Sequence, residues 1–281
     1  MSGRASASLS YCAALVRDQS PGRYVATLFA PAGIRPALFG LYAFDHEIAK
    51  VRHVVSEPMA GLIRFQWWRD TLDAIAAGRP APAHPVAQSL QQAWGRIEPS
   101  RPSLELAIDA RERELEQAAP ETVAALEQHL TATSSGPVLV ALDLLGVRDQ
   151  RARDAGRRVG LAIGLADLLR EIDLSRRRAA FLPQELLGRH GLAPAALQEA
   201  TSPTAFAPAI GELAGQAREH LREARRLRRR VPGRALPALL PGVLVGRQLR
   251  ALHALGAAGG GRAQLGLAPL WLLGYRLLGL F

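Results

Sequence analysis

The chain has 281 residues, of which 48% are hydrophobic and 21% are charged, and this composition excludes an intrinsically disordered protein. The formal net charge is +10, but aromatic residues make up only 5% of the chain, which argues against a protein that stacks single-stranded nucleic acid. The one cysteine, Cys12, excludes an internal disulfide and a metal site built from a cysteine cluster.

Six segments carry apolar residues at spacings of three and four, which predicts amphipathic helices. They are residues 35–56, 60–77, 104–118, 121–145, 152–174 and 206–231. Proline and glycine separate them, because proline cannot continue a helix interior. We therefore predict one all-α domain of roughly eight to ten helices over residues 11–255, preceded by a flexible N-terminus at residues 1–10.

Two segments near the C-terminus have unusual compositions. Residues 217–234 contain eight arginines and two glutamates, and the pattern allows either a solvated helix face or a surface for anionic lipid or an acidic partner. Residues 256–281 form a glycine-rich linker and an apolar tail that is interrupted by Pro269 and Arg276. The tail, residues 264–281, is too short to span a bilayer; it either caps the core or lies in a membrane interface.

Charged residues cluster in two of the predicted helices. In the first helix, Asp45, Arg52 and His53 lie near one another along one face, with Lys50 beside them. In the second helix, Asp167, Arg170 and Glu171 share a face at positions i, i+3 and i+4. The residues around this second trio are apolar, so we expect the trio to be partly buried, where an unpaired charge is costly.

From about Tyr11 to about Leu252 the chain resembles the squalene/phytoene synthase family. The resemblance rests on RPALFGLYAF at 35–44, the helix with Trp67 and Trp68, the GLA and LLRE strings within 160–171, and FLPQELL at 181–187. It implies an isoprenyl (terpenoid) synthase-like helical bundle around a central cavity. In that family two acidic motifs on facing helices hold Mg²⁺ ions, which bind the substrate diphosphates.

The chain departs from the family at both acidic motifs. The acidic positions of the first motif fall on Ala49 and His53, and in the second motif Glu171 is followed four positions later by Ser175. Few carboxylates remain to hold several Mg²⁺ ions in octahedral geometry. We therefore expect a non-catalytic protein without a metal or other cofactor.

A closer resemblance is to a divergent branch of the family, carried by residues 55–75, HPVA at 84–87, DARERELE at 109–116 and residues 126–146. This branch acts in assembly of the respiratory NADH dehydrogenase, complex I. The resemblance implies respiratory complex subunits as partners, no nucleic-acid partner, and a cytoplasmic location that includes contact with the inner membrane. It also implies a vestigial cavity for an isoprenoid or anionic lipid, lined by Arg35, Lys50, Arg52, His53, Asp167, Arg170 and Glu171.

The alternative is an active Mg²⁺-dependent prenyltransferase of the squalene/phytoene type. Its catalytic carboxylates would be Asp45, Asp167 and Glu171, with Glu47 and Asp173 as further ligands. The weakness of this alternative is that Asp45 and Glu47 are two positions apart and cannot share a helix face. The remaining candidates have structural interpretations: His84 and His129 as capping or solvent-facing residues, and Ser134 and Ser135 as a helix interruption.

Overall fold

The described part of the chain consists of α-helices that are joined by short turns. A computed structural model describes residues 2–116, 118–174, 181–192 and 206–258, and no β-strand occurs among them. The helices are α1 (Ser2–Gln19), α2 (Pro21–Leu28), α3 (Arg35–Val54), α4 (Pro58–Ala76), α5 (Pro85–Ile97), α6 (Arg101–Arg113), α7 (Val123–Leu130), α8 (Gly136–Leu144), α9 (Gln150–Leu174), α10 (Gln184–Arg189), α11 (Ala207–Leu227), α12 (Leu236–Leu239) and α13 (Pro241–Ala258).

The predicted all-α class is confirmed, and the long periodic segments agree with α3, α4, α9 and α11 to within a few residues. Prolines begin several helices as predicted, because a proline in the first turn loses no intrahelical hydrogen bond. Among the described residues the helices outnumber the eight to ten predicted, since α2, α10 and α12 are too short to show periodicity. Helix α1 begins at Ser2, so it includes the residues that precede Tyr11.

The buried apolar side chains form two clusters. The first joins α1, α3, α4, α5, α6 and α8 around large side chains such as Phe44 and Phe65. The second joins α9, α11 and the start of α13 around side chains such as Leu165 and Leu213. The adjacent tryptophans divide between interior and edge, with Trp68 buried in the first cluster and Trp67 packed at its edge.

The predicted interruption at Ser134 and Ser135 is confirmed as a π-helical turn, Thr131–Ser135, between α7 and α8. Helix α9 crosses this turn at very close range, because Gly160 and Gly164 face Ser135 and Ser134. A Cβ atom added to Gly160 would lie 2.8 Å from the backbone nitrogen of Ser135, and one added to Gly164 would lie 2.6 Å from Ser134 Oγ. This contact fixes the position of α9, which carries Asp167, Arg170 and Glu171.

His220 connects three helices, α7, α9 and α11, through partly buried hydrogen bonds. Arg158 of α9 donates from Nη1 to His220 Nδ1 at 3.1 Å, so the proton of the neutral ring is on Nε2. That Nε2 then donates to Glu127 Oε1 of α7 at 3.0 Å. His220 belongs to α11 and only 8% of its side chain is exposed.

Replacing His220 with alanine is expected to lower the free energy of unfolding by about 1–3 kcal/mol, because the change leaves partly buried polar groups of α7 and α9 unpaired. Urea denaturation of both proteins measures the difference. The matched control is His190→Ala, since His190 pairs with Glu212 at 3.1 Å in a more exposed position. A cost below about 1 kcal/mol is expected for the control. Equal effects of the two substitutions would contradict the role given to His220.

Candidate functional site

A cavity of about 540 Å³ lies beside the helices that carry the charged residues predicted from the sequence. Its walls come from α3, α7, the π-helical turn, α9 and α13, together with residues around the start of α2 and the end of α6. Apolar side chains line it as well as charged ones. The apolar group comprises Leu126, Leu130, Ile163, Leu168, Phe181, Leu244 and Val245. The cavity is therefore amphipathic, with a strongly charged part supported by α3 and α9.

Most of the predicted site residues come together in this cavity. Six residues predicted for the vestigial site line it, together with Asp45 from the alternative site: Lys50, Arg52, His53, Asp167, Arg170 and Glu171. Arg35 does not belong to this lining. It lies at the start of α3, where its Nε donates to the carbonyl oxygen of Ala30 at 2.8 Å, so its role is to fix the entry of the helix.

Glu114 is the centre of the charged network. Only 2% of its side chain is exposed, and it accepts from Arg52, from Arg111 at 2.7 Å and from His129 at 2.9 Å. Burial alone would raise the pKa of Glu114, but Arg111, His129 and Arg52 together lower it from 4.5 to about 2. The carboxylate is therefore charged near neutral pH and holds two arginines from different helices.

This pKa shift predicts an acid-sensitive contribution to stability. Because the pKa of Glu114 in the folded state lies below its unfolded value, the contribution is complete above about pH 5 and declines as the pH falls from 4.5 to about 2. Its full size is about 3 kcal/mol at 1.36 kcal/mol per pKa unit. Urea denaturation of the wild type and Glu114→Gln across this pH range measures it. The difference between the two proteins is expected to shrink in acid, and a constant difference would contradict the assignment.

Arg52 joins Glu114 to the second charged helix. Its Nη2 donates to Glu171 Oε2 at 3.1 Å, while its guanidinium carbon lies 5.8 Å from the ring centroid of Phe181. Burial lowers the pKa of Arg52 and raises the pKa of Glu171, since both groups lose hydration on entering the cavity wall. The ion pair between Arg52 and Glu171 offsets part of the free-energy cost of this lost hydration. The Arg52 guanidinium thus lies between Glu114, at the end of α6, and Glu171, on α9.

The other carboxylates of the cavity also face arginines. Asp45 Oδ2 accepts from Arg23 Nη1 at 2.5 Å, and Arg23 also lies over the ring of Tyr42 at 5.0 Å. Asp167 lies 3.7 Å from Arg170, and burial raises the pKa of Asp167. The trio on α9 is partly buried, as predicted: about half of the Arg170 and Asp167 side chains and about a quarter of Glu171 remain accessible at the cavity.

This arrangement does not fit a cluster of Mg²⁺ ions. Each of the four carboxylates that line the cavity contacts an arginine, and the acidic positions of the family's first motif hold Ala49 and His53. Within the described part of the chain, no group of three or more acidic, histidine or cysteine side chains is placed to hold a metal ion. Glu47, part of the alternative site, pairs with Lys50 at 2.6 Å and is absent from the cavity lining. The side chain of Asp173 and the whole of Ser175 lie outside the described residues.

Sequence reasoning missed four important residues of the site: Arg23, Arg111, Glu114 and His129. A partial signal existed for Arg111 and Glu114, which stand at i and i+3 within DARERELE. The interpretation of His129 as capping or solvent-facing is wrong, because the residue lies in the last turn of α7 and contacts Glu114 at 2.9 Å. His84 does lie at the start of α5, but its side chain makes no cap and instead packs against Trp67 and Trp68.

None of the described helices combines the length and the hydrophobicity that crossing a bilayer requires. The apolar tail at residues 264–281 lies outside the described residues.

Comparisons with known proteins confirm the resemblance. A sequence model of the squalene/phytoene synthase family matches residues 16–268. Complex I assembly factor 6 of Bos taurus is 32% identical over 244 residues, which are 86% of this chain and 73% of the relative. The assembly factor 6 of Homo sapiens is 33% identical over 231 residues, which are 82% of this chain and 69% of the relative.

Two solved structures confirm the predicted isoprenyl synthase-like fold. A dehydrosqualene synthase crystallised with a ligand superposes with a TM-score of 0.82 at 18% identity, and the match covers 98% of this chain and 96% of the other. The squalene synthase HpnC of Alicyclobacillus acidocaldarius gives a TM-score of 0.74 at 19% identity over 89% of this chain and 95% of the other. Because the family model matches residues 16–268, and relatives with 32% and 33% identity match more than four fifths of the chain, the chain belongs to the squalene/phytoene synthase family.

Proposed function

We propose that this chain is a non-catalytic member of its family that assists the assembly of respiratory complex I, the NADH dehydrogenase, at the inner membrane. The observation that carries the proposal is the position of Arg52 between Glu114 and Glu171. In this position the guanidinium engages Glu171, the acidic motif position that this chain keeps, and competes with Mg²⁺ for it. The similarity to proteins named complex I assembly factor 6 supplies the assembly role.

The electrostatics of the cavity support the loss of catalysis. Ionising an allylic diphosphate separates charge, and a synthase stabilises the leaving group with preorganised positive charge from metal ions. In this chain the most buried arginines of the cavity are already engaged: Arg52 and Arg111 contact Glu114, and Arg23 contacts Asp45. Electrostatic stabilisation of this kind is worth about 3–4 kcal/mol per lost donor, so the loss of a whole metal cluster removes many orders of magnitude in rate.

The amphipathic cavity also supports retention of a ligand without chemistry. Its apolar walls suit an isoprenoid or acyl chain, and Lys50 and Arg170 keep substantial accessible area beside Arg52 and His53. These four residues would contact an anionic head group directly, without a metal.

We expect farnesyl diphosphate to raise the melting temperature of the protein in the presence of EDTA. The increase should disappear in the double variant Lys50→Gln/Arg170→Gln, and an increase that needs Mg²⁺ would contradict a metal-free ligand.

A deletion experiment tests the assembly role. Removing the gene from its host is expected to lower the NADH dehydrogenase activity of isolated membranes, and the wild-type gene is expected to restore it. A gene with Glu171→Gln should restore it equally well, because the role requires no acid–base or metal chemistry at that carboxylate. Unchanged NADH dehydrogenase activity together with altered isoprenoid lipids would contradict the proposal and favour a prenyltransferase.

A further inference from the structure

One side of α11 and the turn that follows it form a strongly cationic surface, which we call the arginine face. The arginine face is defined by the arginines of residues 217–234: Arg218, Arg222, Arg225, Arg226, Arg228, Arg229, Arg230 and Arg234. The same segment contains only two acidic residues, Glu219 and Glu223, so its formal charge is +6. Residues Arg228–Arg230 form a 3-10 turn that extends the face beyond the end of the helix.

Packing directs these arginines outward. The opposite side of α11 buries Leu213, Ala217, Leu221 and Ala224 within the hydrophobic core, and the helix lies along α9. Arg218, Arg226, Arg229 and Arg230 are exposed. These four side chains therefore do not contribute to the packing of the core, since the apolar side of the helix alone supplies it.

The positive charge of the arginine face is largely uncompensated. Glu223 pairs with Arg158 of α9 at 3.0 Å, and Glu219 pairs with Arg222. Within the described residues, no carboxylate lies in ion-pair distance of Arg218, Arg226, Arg229 or Arg230. Like charges held this close together repel one another and lower the stability of the folded protein. Binding of an external anion would reduce this repulsion.

We propose that the arginine face docks the protein on an anionic lipid surface. Each arginine near such a surface contributes about 1 kcal/mol, so several acting together bind without inserting any apolar group. A protein partner is a poorer match, because specific protein interfaces have an apolar, desolvated centre. The large exposed apolar side chains of the described residues lie elsewhere, among them Val54, Met59 and Ile63. The segment 217–234 also contains no Phe, Tyr or Trp on which a nucleic-acid base would stack.

Vesicle flotation with the full chain tests the proposal. Phosphatidylcholine vesicles that contain phosphatidylglycerol are expected to bind the protein at low salt, whereas pure phosphatidylcholine vesicles should bind it at least tenfold less. High salt is expected to release the bound protein, because screening shortens the reach of the charges. Binding that is equal on both vesicles, or that resists salt, would overturn the proposal.

Matched variants separate the arginine face from the net charge of the chain. The triple variant Arg226→Gln/Arg229→Gln/Arg230→Gln is expected to bind anionic vesicles about a hundredfold more weakly. The control Arg64→Gln/Arg79→Gln/Arg113→Gln removes the same charge from exposed positions outside the face and should stay within about threefold of wild type. Equal losses in both variants would overturn the proposal. So would wild-type binding to RNA or to an acidic protein, with the same arginine dependence, in the absence of vesicle binding.

Discussion

Replacing Glu114 with glutamine is expected to lower the free energy of unfolding by about 3–5 kcal/mol, the largest effect that we predict for a single side chain. The substitution keeps the volume of the residue but removes its charge, and two arginines, Arg52 and Arg111, then remain in the cavity wall without their shared carboxylate. His129 also loses its charged acceptor. Chemical denaturation at neutral pH measures the change.

The neighbouring glutamate gives the matched control. Glu112 pairs with Arg69 at 2.5 Å, but about a third of each side chain is exposed, and Arg69 has a second partner in Asp109. When Glu112 loses its charge, water and Asp109 still contact Arg69. Glu112→Gln should therefore lower the free energy of unfolding by no more than about 1 kcal/mol. Similar costs for the two substitutions would show that Glu114 is not the centre of the network.

The second large effect is expected at Gly160. In Gly160→Ala the new Cβ would lie 2.8 Å from the backbone nitrogen of Ser135 and closer still to its Cα. Backbone atoms cannot rotate away as a flexible side chain can, so α9 or the π-helical turn must shift. We expect a loss of about 3 kcal/mol in the free energy of unfolding, at the upper end of the usual cost of overpacking.

Gly211→Ala is the control for this substitution. Gly211 lies within α11, and no atom lies within 4 Å of the position that a Cβ would occupy. Alanine has a higher helix propensity than glycine, so the control should be stabilised by up to about 1 kcal/mol. The opposite signs of the two effects can be checked by thermal unfolding, and a neutral Gly160→Ala would contradict the close contact between α9 and the turn.

The sequence predicts the helices well because their apolar spacing and their proline starts are local signals. Helices α3, α4, α9 and α11 lie where periodicity places them. The charged residues of α3 and α9 also meet in one cavity, as the family resemblance implies. Arg35 is the exception, since hydrogen bonding to the carbonyl oxygen of Ala30 holds it at the helix start.

The ion-pair partners could not be predicted in the same way. Arg23, Glu114 and His129 reach the site from α2, the end of α6 and α7, and their contacts join residues far apart in the chain. No local pattern specifies which arginine faces which carboxylate across a cavity. The partial signal at Arg111 and Glu114 was visible only because these two residues share one short segment.

These ion-pair partners bear on whether the site can bind Mg²⁺. From the sequence alone the departures from the family are missing carboxylates at Ala49 and His53 in the first motif and at Ser175 in the second. In the structure the departure is larger, because Arg52 from the same helix occupies the space between Glu114 and Glu171. The carboxylates that line the cavity are therefore paired with arginines, an arrangement that does not suit a cluster of Mg²⁺ ions.

A diphosphate-release assay with the purified full chain tests the proposed loss of catalysis most directly. The protein is incubated with farnesyl diphosphate, Mg²⁺ and NADPH, and the released diphosphate and any long-chain isoprenoid product are measured. We expect no release of diphosphate above a control without protein. Release of diphosphate with formation of a C30 product, abolished by Glu171→Ala, would contradict the proposed loss of catalysis.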